Sequence, residues 1–307
     1  MTAHPASPVS IGPLRVPPAL AQDAHKGDAG RVLCLVGSET MPGAAVLCAR
    51  AAQRAGAGLV AVGCLDANLL TVVPSTAPEA VLVDLLSAVS PAGTLSARVR
   101  ERLEAVDPHA VVIGPGLGPG PRTRALLELV LELFTCPLVV DADGLNAVAG
   151  EPERLRAGRS SVVITPHPGE AQRLLGRPTP GDPDGRRETA LELARRSGAI
   201  ACLKGSGTVV ADPEGRVTVN TSGNPGMATA GAGDVLAGIL VAYLARTGRG
   251  DWAPFDAARA AVYLHGLAGD GAAKKLGTNG VVASDLIVEL PAAFARFAAE
   301  ASAGRGG

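Results

Sequence analysis

Short, unbroken apolar runs alternate along this chain with Ala-, Leu- and Arg-rich stretches of helical period, and that alternation leaves few folds open. Runs such as AVVIG and PLVV are apolar at every position, so they suit strands covered on both faces. The pattern predicts strands over 31–36, 59–63, 110–113, 137–140, 161–164 and 200–203. A hairpin-like pair, 208–211 and 216–220, then flanks the turn residues Asp212, Pro213, Glu214 and Gly215. Helices fit 44–55, 122–134, 185–197, 234–246 and 255–273. Alternation of this kind implies an α/β fold, with a mostly parallel sheet between two helical layers.

The chain has 307 residues, a length that an α/β fold can hold as one domain. Its first residues, rich in Pro and small polar side chains, read as an N-terminal arm over 1–25. A single domain is expected over 26–298 and a disordered tail over 299–307. The turn-rich segment GRPTPGDPDG at 176–185 is short enough to be a loop inside that domain. With 47% apolar and 19% charged residues, the chain is globular in composition.

Composition also excludes partners. The net charge is −1, and only four Phe, two Tyr and one Trp are present. A single-stranded nucleic-acid binder needs a basic groove with aromatic platforms, so nucleic acid is not an expected partner. The five cysteines are odd in number, widely spaced and set in apolar segments, which predicts reduced thiols in a cytoplasmic chain. The N-terminal residues carry no apolar signal core, and the longest helix-like apolar run, 235–245, is too short for a membrane span.

Ligands of open α/β sheets bind beyond the carboxyl ends of the strands, and here those ends carry unusual turns. GPGLG (114–118), DADGLN (141–146), TPHPGE (165–170) and KGSGT (204–208) each follow a predicted strand. Taken singly they have plain readings: a tight turn, a helix cap, an extended accessible loop around His167, a strand-end lysine. GNPGMATAGAGD (223–234) stands directly before a helix pattern and says more. Gly231 and Gly233 let backbone approach a ligand, and the helix that follows offers free N–H groups and its positive dipole end to an anion such as phosphate. Asp234 would be either a reacting group there or a residue complementing the dipole. Neither GxGxxG nor GxxxxGK[ST] occurs at this site, so dinucleotide-fold and P-loop readings are unsupported. Lys204 is one of four lysines against 24 arginines, and of those four it alone ends a strand pattern and opens a Gly-rich turn. Lysine serves phosphate as a compact point charge.

Together and in order, these motifs resemble the ADP/ATP-dependent NAD(P)H-hydrate dehydratases of the ribokinase-like superfamily. The resemblance runs from His25-Lys26-Gly27 through MPGAA (41–45) and RAGAGLV (54–60) to YLHG (263–266), covering about residues 26–290. It implies a ribokinase-like three-layer α/β/α sandwich; many family members carry an epimerase domain ahead of this fold, and with 30 residues before the first predicted strand a stand-alone dehydratase domain is expected here. By resemblance, Ala45, Gly116, His167 and Asp234 would contact the hydrated dinucleotide. Lys204, Gly205, Ser206, Gly207, Thr208 and Gly233 would hold the adenine nucleotide, and Asp234 would be the catalytic aspartate. Ala230 and Ala232 stand where family members often have Gly and Thr, so a hydroxyl donor to phosphate is lost at Ala232.

The implied activity is ADP-dependent dehydration of hydrated NADH or NADPH, releasing AMP and phosphate. The expected partners are that hydrate, ADP or ATP, and Mg²⁺, with no metal ligand assigned and a homotetramer implied by resemblance. Two rival readings remain on the same residues: a small-alcohol kinase of the thiamine-precursor type, and a nucleotide-binding protein without turnover. MPGAA together with TPHPGE favours the dehydratase over the kinase, and the aspartate at the anion loop argues against a mere binder.

Overall fold

In the computed structural model, which describes residues 12–88 and 95–303, nine strands form one sheet. They are β1 (Arg31–Leu35), β2 (Leu59–Cys64), β3 (Val81–Asp84), β4 (Ala110–Ile113), β5 (Leu138–Val140), β6 (Val162–Ile164), β7 (Ile200–Leu203), β8 (Val209–Ala211) and β9 (Val217–Val219). Their order across the sheet is β3-β2-β1-β4-β5-β6-β7-β8-β9. Pairing is parallel from β3 through to β7 and antiparallel from β7 to β9, so the predicted hairpin closes the sheet. Strand direction therefore carries the loops after β1, β4, β5, β6 and β7 to one end of the sheet.

Side chains alternate between two cores, as the period of a strand requires. Val32, Cys34 and Val36 enter one core, and Leu33 and Leu35 enter the other. The first core lies under α1 (Pro42–Arg54), α2 (Leu69–Thr76), α8 (Ala232–Leu244), α9 (Pro254–Leu276) and α10 (Ala283–Ala303). The second lies under α3 (Ala97–Glu104), α4 (Pro121–Leu133), α5 (Asp143–Asn146), α6 (Pro168–Leu175) and α7 (Pro183–Ser197). Three layers result, in agreement with the expected α/β/α sandwich. In α8 every residue from Val235 to Leu244 is buried, the pattern of a helix packed on all sides. It lies between the sheet and the helices α1, α9 and α10.

Several elements depart from the sequence expectation. β3 and the helices α2, α3, α5, α6 and α10 were not among those predicted, and α6 begins inside TPHPGE, one residue after His167. Because α10 runs to Ala303, residues 299–303 are helical where a disordered tail was expected. Residues 304–307, and residues 1–11 of the expected arm, lie outside the described residues. All five cysteines are free, four of them buried. Burial pushes Cys64 up to about 11 and Cys136 and Cys202 up to about 12, which keeps these thiols protonated. Among the described residues no helix is long and apolar enough to cross a membrane.

Candidate active site

The site begins at the N-terminus of α8. Gly231 precedes that helix at φ +87, and a Cβ there would lie 2.5 Å from the Leu47 side chain on α1. Both the left-handed conformation and the crowding demand glycine. No side chain caps α8; the Ala232 N–H donates to the Thr229 carbonyl at 3.4 Å, and the N–H groups of Gly233 and Asp234 in the first turn are left for a ligand. Asp234 sits in that turn.

Three further charged groups converge beside it from the strand ends. Lys204, directly after β7, places Nζ 2.7 Å from Oδ1 of Asp141, directly after β5. The same Nζ lies 3.6 Å from Oε2 of Glu170, in the first turn of α6. Asp141 and Glu170 are both buried, at 1% and 4% exposure. Burial opposes the Lys204 charge, but Asp141 and Glu170 outweigh it and the ammonium is held above its ordinary value. Asp234 is affected the other way. Burial, and then the Asp141 charge, push it up to about 6, against the opposing pull of Lys204. One lysine thus serves three carboxylates. A Cβ on Gly233 would come 3.7 Å from Lys204 Nζ and 3.9 Å from Asp141 Oδ2, so the absence of a side chain keeps the backbone open between lysine and helix end.

The turn after Lys204 is shaped by glycine, with Gly205 at φ +143 and Gly207 at φ +63. Ser206 is exposed, and the Thr208 hydroxyl donates to the Gly205 carbonyl at 3.2 Å. The Lys204 N–H donates to the Pro166 carbonyl at 2.8 Å, tying this turn to the loop after β6.

His167 lies in that loop. It is extended at its own backbone and exposed, as expected, but it is also the N-cap of α6. Its Nδ1 accepts the N–H groups of Gly169 and Glu170 at 3.0 and 3.4 Å, while Glu170 Oε2 accepts the His167 N–H at 2.7 Å. This is a capping box with histidine in the serine position. The His167 Nε2 lies 3.5 Å from Glu170 Oε1, so Glu170 stands between His167 and Lys204.

Ala45 and Gly116 form a second group. The sheet order reverses between β1 and β4, and the loops after those strands meet there: the Gly37 N–H donates to the Pro115 carbonyl at 2.7 Å. A Cβ on Gly116 would lie 2.7 Å from that of Ala44, and one on Gly37 would lie 2.8 Å from that of Ala45. Ala45 is fully buried, so its part in any site is to permit this close approach. The group adjoins the carboxylate cluster through α1, whose Leu47 borders Gly231.

Three residues absent from the sequence expectation complete the arrangement. Asp141 and Glu170 stand inside motifs already singled out, and their signal was a carboxylate directly after a buried strand or three residues into a proline-started helix. His265, in the YLHG motif, places Nε2 2.9 Å from the Ala232 carbonyl, and a carbonyl only accepts, so Nε2 carries the proton. Burial pushes this imidazole down to about 4, which keeps it neutral. Two cavities, of about 190 Å³ beside β9 and α9 and about 390 Å³ between α3 and α4, are lined by none of these residues.

A three-layer α/β/α sandwich with a glycine-led helix end, an aspartate in its first turn and a lysine beside it defines the ribokinase-like class. Comparison narrows this. The family model described as NAD(P)H-hydrate dehydratase matches residues 32–292, and the chain belongs to that family. It is 42% identical over 285 residues to a bifunctional NAD(P)H-hydrate repair enzyme of Moorella thermoacetica, covering 89% of this chain and 51% of the relative. It is 40% identical over 270 residues to the bifunctional enzyme of Escherichia coli K12, covering 87% and 48%. The chain spans about half the length of the curated relatives it matches. Among solved structures, the ADP/ATP-dependent NAD(P)H-hydrate dehydratase of Bacillus subtilis, co-crystallised with ATP and Mg²⁺, superposes with a TM-score of 0.76 at 30% identity, covering 92% and 94% of the two chains.

Proposed function

We propose that this protein dehydrates the hydrated form of NADH or NADPH, using ADP as phosphoryl donor and releasing AMP and phosphate. The observation that carries the reading is Asp234, a carboxylate pushed up to about 6 in the first turn of an uncapped helix, beside an ammonium already paired with Asp141. A group titrating there is charged at neutral pH and still basic enough to take a proton.

The hydrate carries a hydroxyl on carbon 6 of the reduced nicotinamide ring, and hydroxide leaves poorly. Asp234 takes the hydroxyl proton as its oxygen bonds to the terminal phosphorus of the nucleotide, whose bridging P–O bond breaks to release AMP. The ring nitrogen lone pair then expels phosphate from carbon 6, and loss of a proton from carbon 5 restores the double bond. Lys204 and the N–H groups of α8 hold the phosphates and offset charge as the phosphoryl moves. In this reading Lys204, Gly205, Ser206, Gly207, Thr208 and Gly233 bind the nucleotide, Gly116 and His167 line the dinucleotide, and buried Ala45 supports that side of the site by letting the loops approach closely.

The first turn of α8, without a side chain at Gly233 and next to Lys204, fits a phosphate chain. Mg²⁺, when bound, supplies further charge neutralisation. Among the described residues no set of three His, Cys, Asp or Glu side chains forms a cage for it, which favours a metal carried in on the phosphates. A cytoplasmic homotetramer completes the proposal, the apolar side chains of Leu276, Val282, Val288 and Phe294 exposed on and beside α10 offering a surface for a second copy.

The test is to incubate the protein with hydrated NADH, Mg²⁺ and ADP and to follow recovery of dihydronicotinamide absorbance. One nucleotide consumed per dinucleotide restored is expected. Folded protein giving no recovery with ADP or ATP overturns the dehydratase, and a stable phosphorylated product would support the kinase instead.

A further inference from the structure

Arg186, in the first turns of α7, has an environment unlike that of its neighbour. Arg187 pairs with Asp184 at 3.1 Å on the surface. Arg186 turns inward, and its Nη2 lies within 3.3–3.4 Å of the carbonyls of Leu203, Lys204 and Gly207. A Cβ on Gly205 would come 2.9 Å from both Nη1 and Nη2, so the guanidinium fills the hollow of the Lys204–Thr208 turn. Among the described residues it forms no ion pair. Burial pushes it below its ordinary value, the direction for a cation that neutral dipoles alone solvate.

The geometry has a consequence for the opposite face of the turn. In a trans peptide the N–H points away from the C=O of the same unit. Carbonyls of Lys204 and Gly207 drawn toward Arg186 therefore send the N–H groups of Gly205 and Thr208 the other way. The Leu203 carbonyl obeys the same rule: its partner, the Lys204 N–H, reaches the Pro166 carbonyl at 2.8 Å.

We propose that Arg186 is a positioning residue for the phosphoryl donor: the Nη2 end of its guanidinium gathers the carbonyls of Leu203, Lys204 and Gly207 so that the Lys204–Thr208 turn presents N–H groups to a nucleoside polyphosphate. This inference rests on the nucleotide reading above. Arg186 acts through the turn, and its unpaired charge adds to the field that attracts an anion. A lysine would keep the charge, but its ammonium ends one bond short of the Nη2 position on a flexible stem, so it would not hold the three carbonyls at that point.

The experiment measures binding of ADP to the intact protein by calorimetry, with steady-state kinetics, for wild type, Arg186→Gln, Arg186→Lys and Arg187→Gln. Circular dichroism identifies a temperature at which each variant is folded. Arg186→Gln and Arg186→Lys should both bind ADP at least tenfold more weakly, the loss expected for charge-assisted hydrogen bonds. Their KM for the hydrate should stay within about twofold of wild type, and Arg187→Gln should match wild type throughout. An Arg186→Gln variant with wild-type ADP affinity overturns the inference alone. So does an Arg186→Lys variant that restores binding, because a point charge would then suffice. Equal loss of affinity for ADP and hydrate also overturns it, since that marks a role in general stability. Wild-type protein that binds no ADP overturns the nucleotide reading, and this inference with it.

Discussion

Lys204 Nζ lies 2.7 Å from Oδ1 of Asp141, a carboxylate only 1% exposed, and that contact decides the chemistry of a third residue. Because Asp141 engages the ammonium, Lys204 only partly offsets the burial and like charge that push Asp234 up to about 6. The contact therefore keeps Asp234 basic. It also anchors Lys204 so that its remaining N–H groups can face an anion.

The pH profile checks this relationship. Wild-type kcat/KM for the hydrate should rise along an acid limb near pH 6, as Asp234 loses its proton. In Asp141→Asn the like charge is gone and Lys204 is freer to meet Asp234, and both changes lower the Asp234 pKa. The limb should move to lower pH, though not back to the ordinary value, because burial remains. A limb that stays in place or moves upward would detach Asp141 from Asp234.

His265 gives a second profile, in stability. Its folded value of about 4 lies below the ordinary 6.5, so between these the unfolded chain binds the extra proton and the folded chain does not. Stability contributed by the neutral imidazole is complete above about 6.5 and is lost as pH falls toward 4. The loss should be on the order of 1–3 kcal/mol. In His265→Gln, whose amide N–H can still reach the Ala232 carbonyl, urea midpoints should vary less over this range. Identical profiles for the two proteins would show that His265 does not titrate in the fold.

The sheet was largely readable in the sequence because its inner strands are buried on both faces and so are unbroken in apolarity. β3 escaped although its VLV is an apolar run as long as the LVV of β5; it is an edge strand, exposed or half-exposed at every residue, and nothing in its sequence marks that position. α10 contains Pro291, which interrupts a helical reading. α6 was hidden by its own start signals. Pro168 occupies the first helical position, where proline is welcome, and His167 replaces the usual serine or threonine of a capping box. The glycines and lysine of the site announced themselves by residue type. Asp141 and Glu170 did not, since only the sheet order brings the ends of β5, β6 and β7 around one ammonium.

Asp234 separates function from stability most sharply. Its folded value of about 6 stands above the ordinary 3.8, so at neutral pH the charged carboxylate costs the fold. Sign and window follow: the cost is absent below about 3.8, grows as pH rises, and is complete above about 6. Asp234→Asn removes the charge, so the variant should exceed wild type in stability at pH 8 by on the order of 1–3 kcal/mol. That advantage should disappear below the ordinary value, where the wild-type acid is neutral. The same variant should lose about 10²–10⁴ in kcat, the usual contribution of a positioned base. A residue that merely complements the α8 dipole would behave oppositely in both measurements. Its replacement would lower stability by about 0.3–1 kcal/mol and leave turnover intact. Denaturant unfolding at two pH values and kcat on the same preparation therefore decide the role, and a less stable Asp234→Asn with near-normal turnover would remove Asp234 from the mechanism.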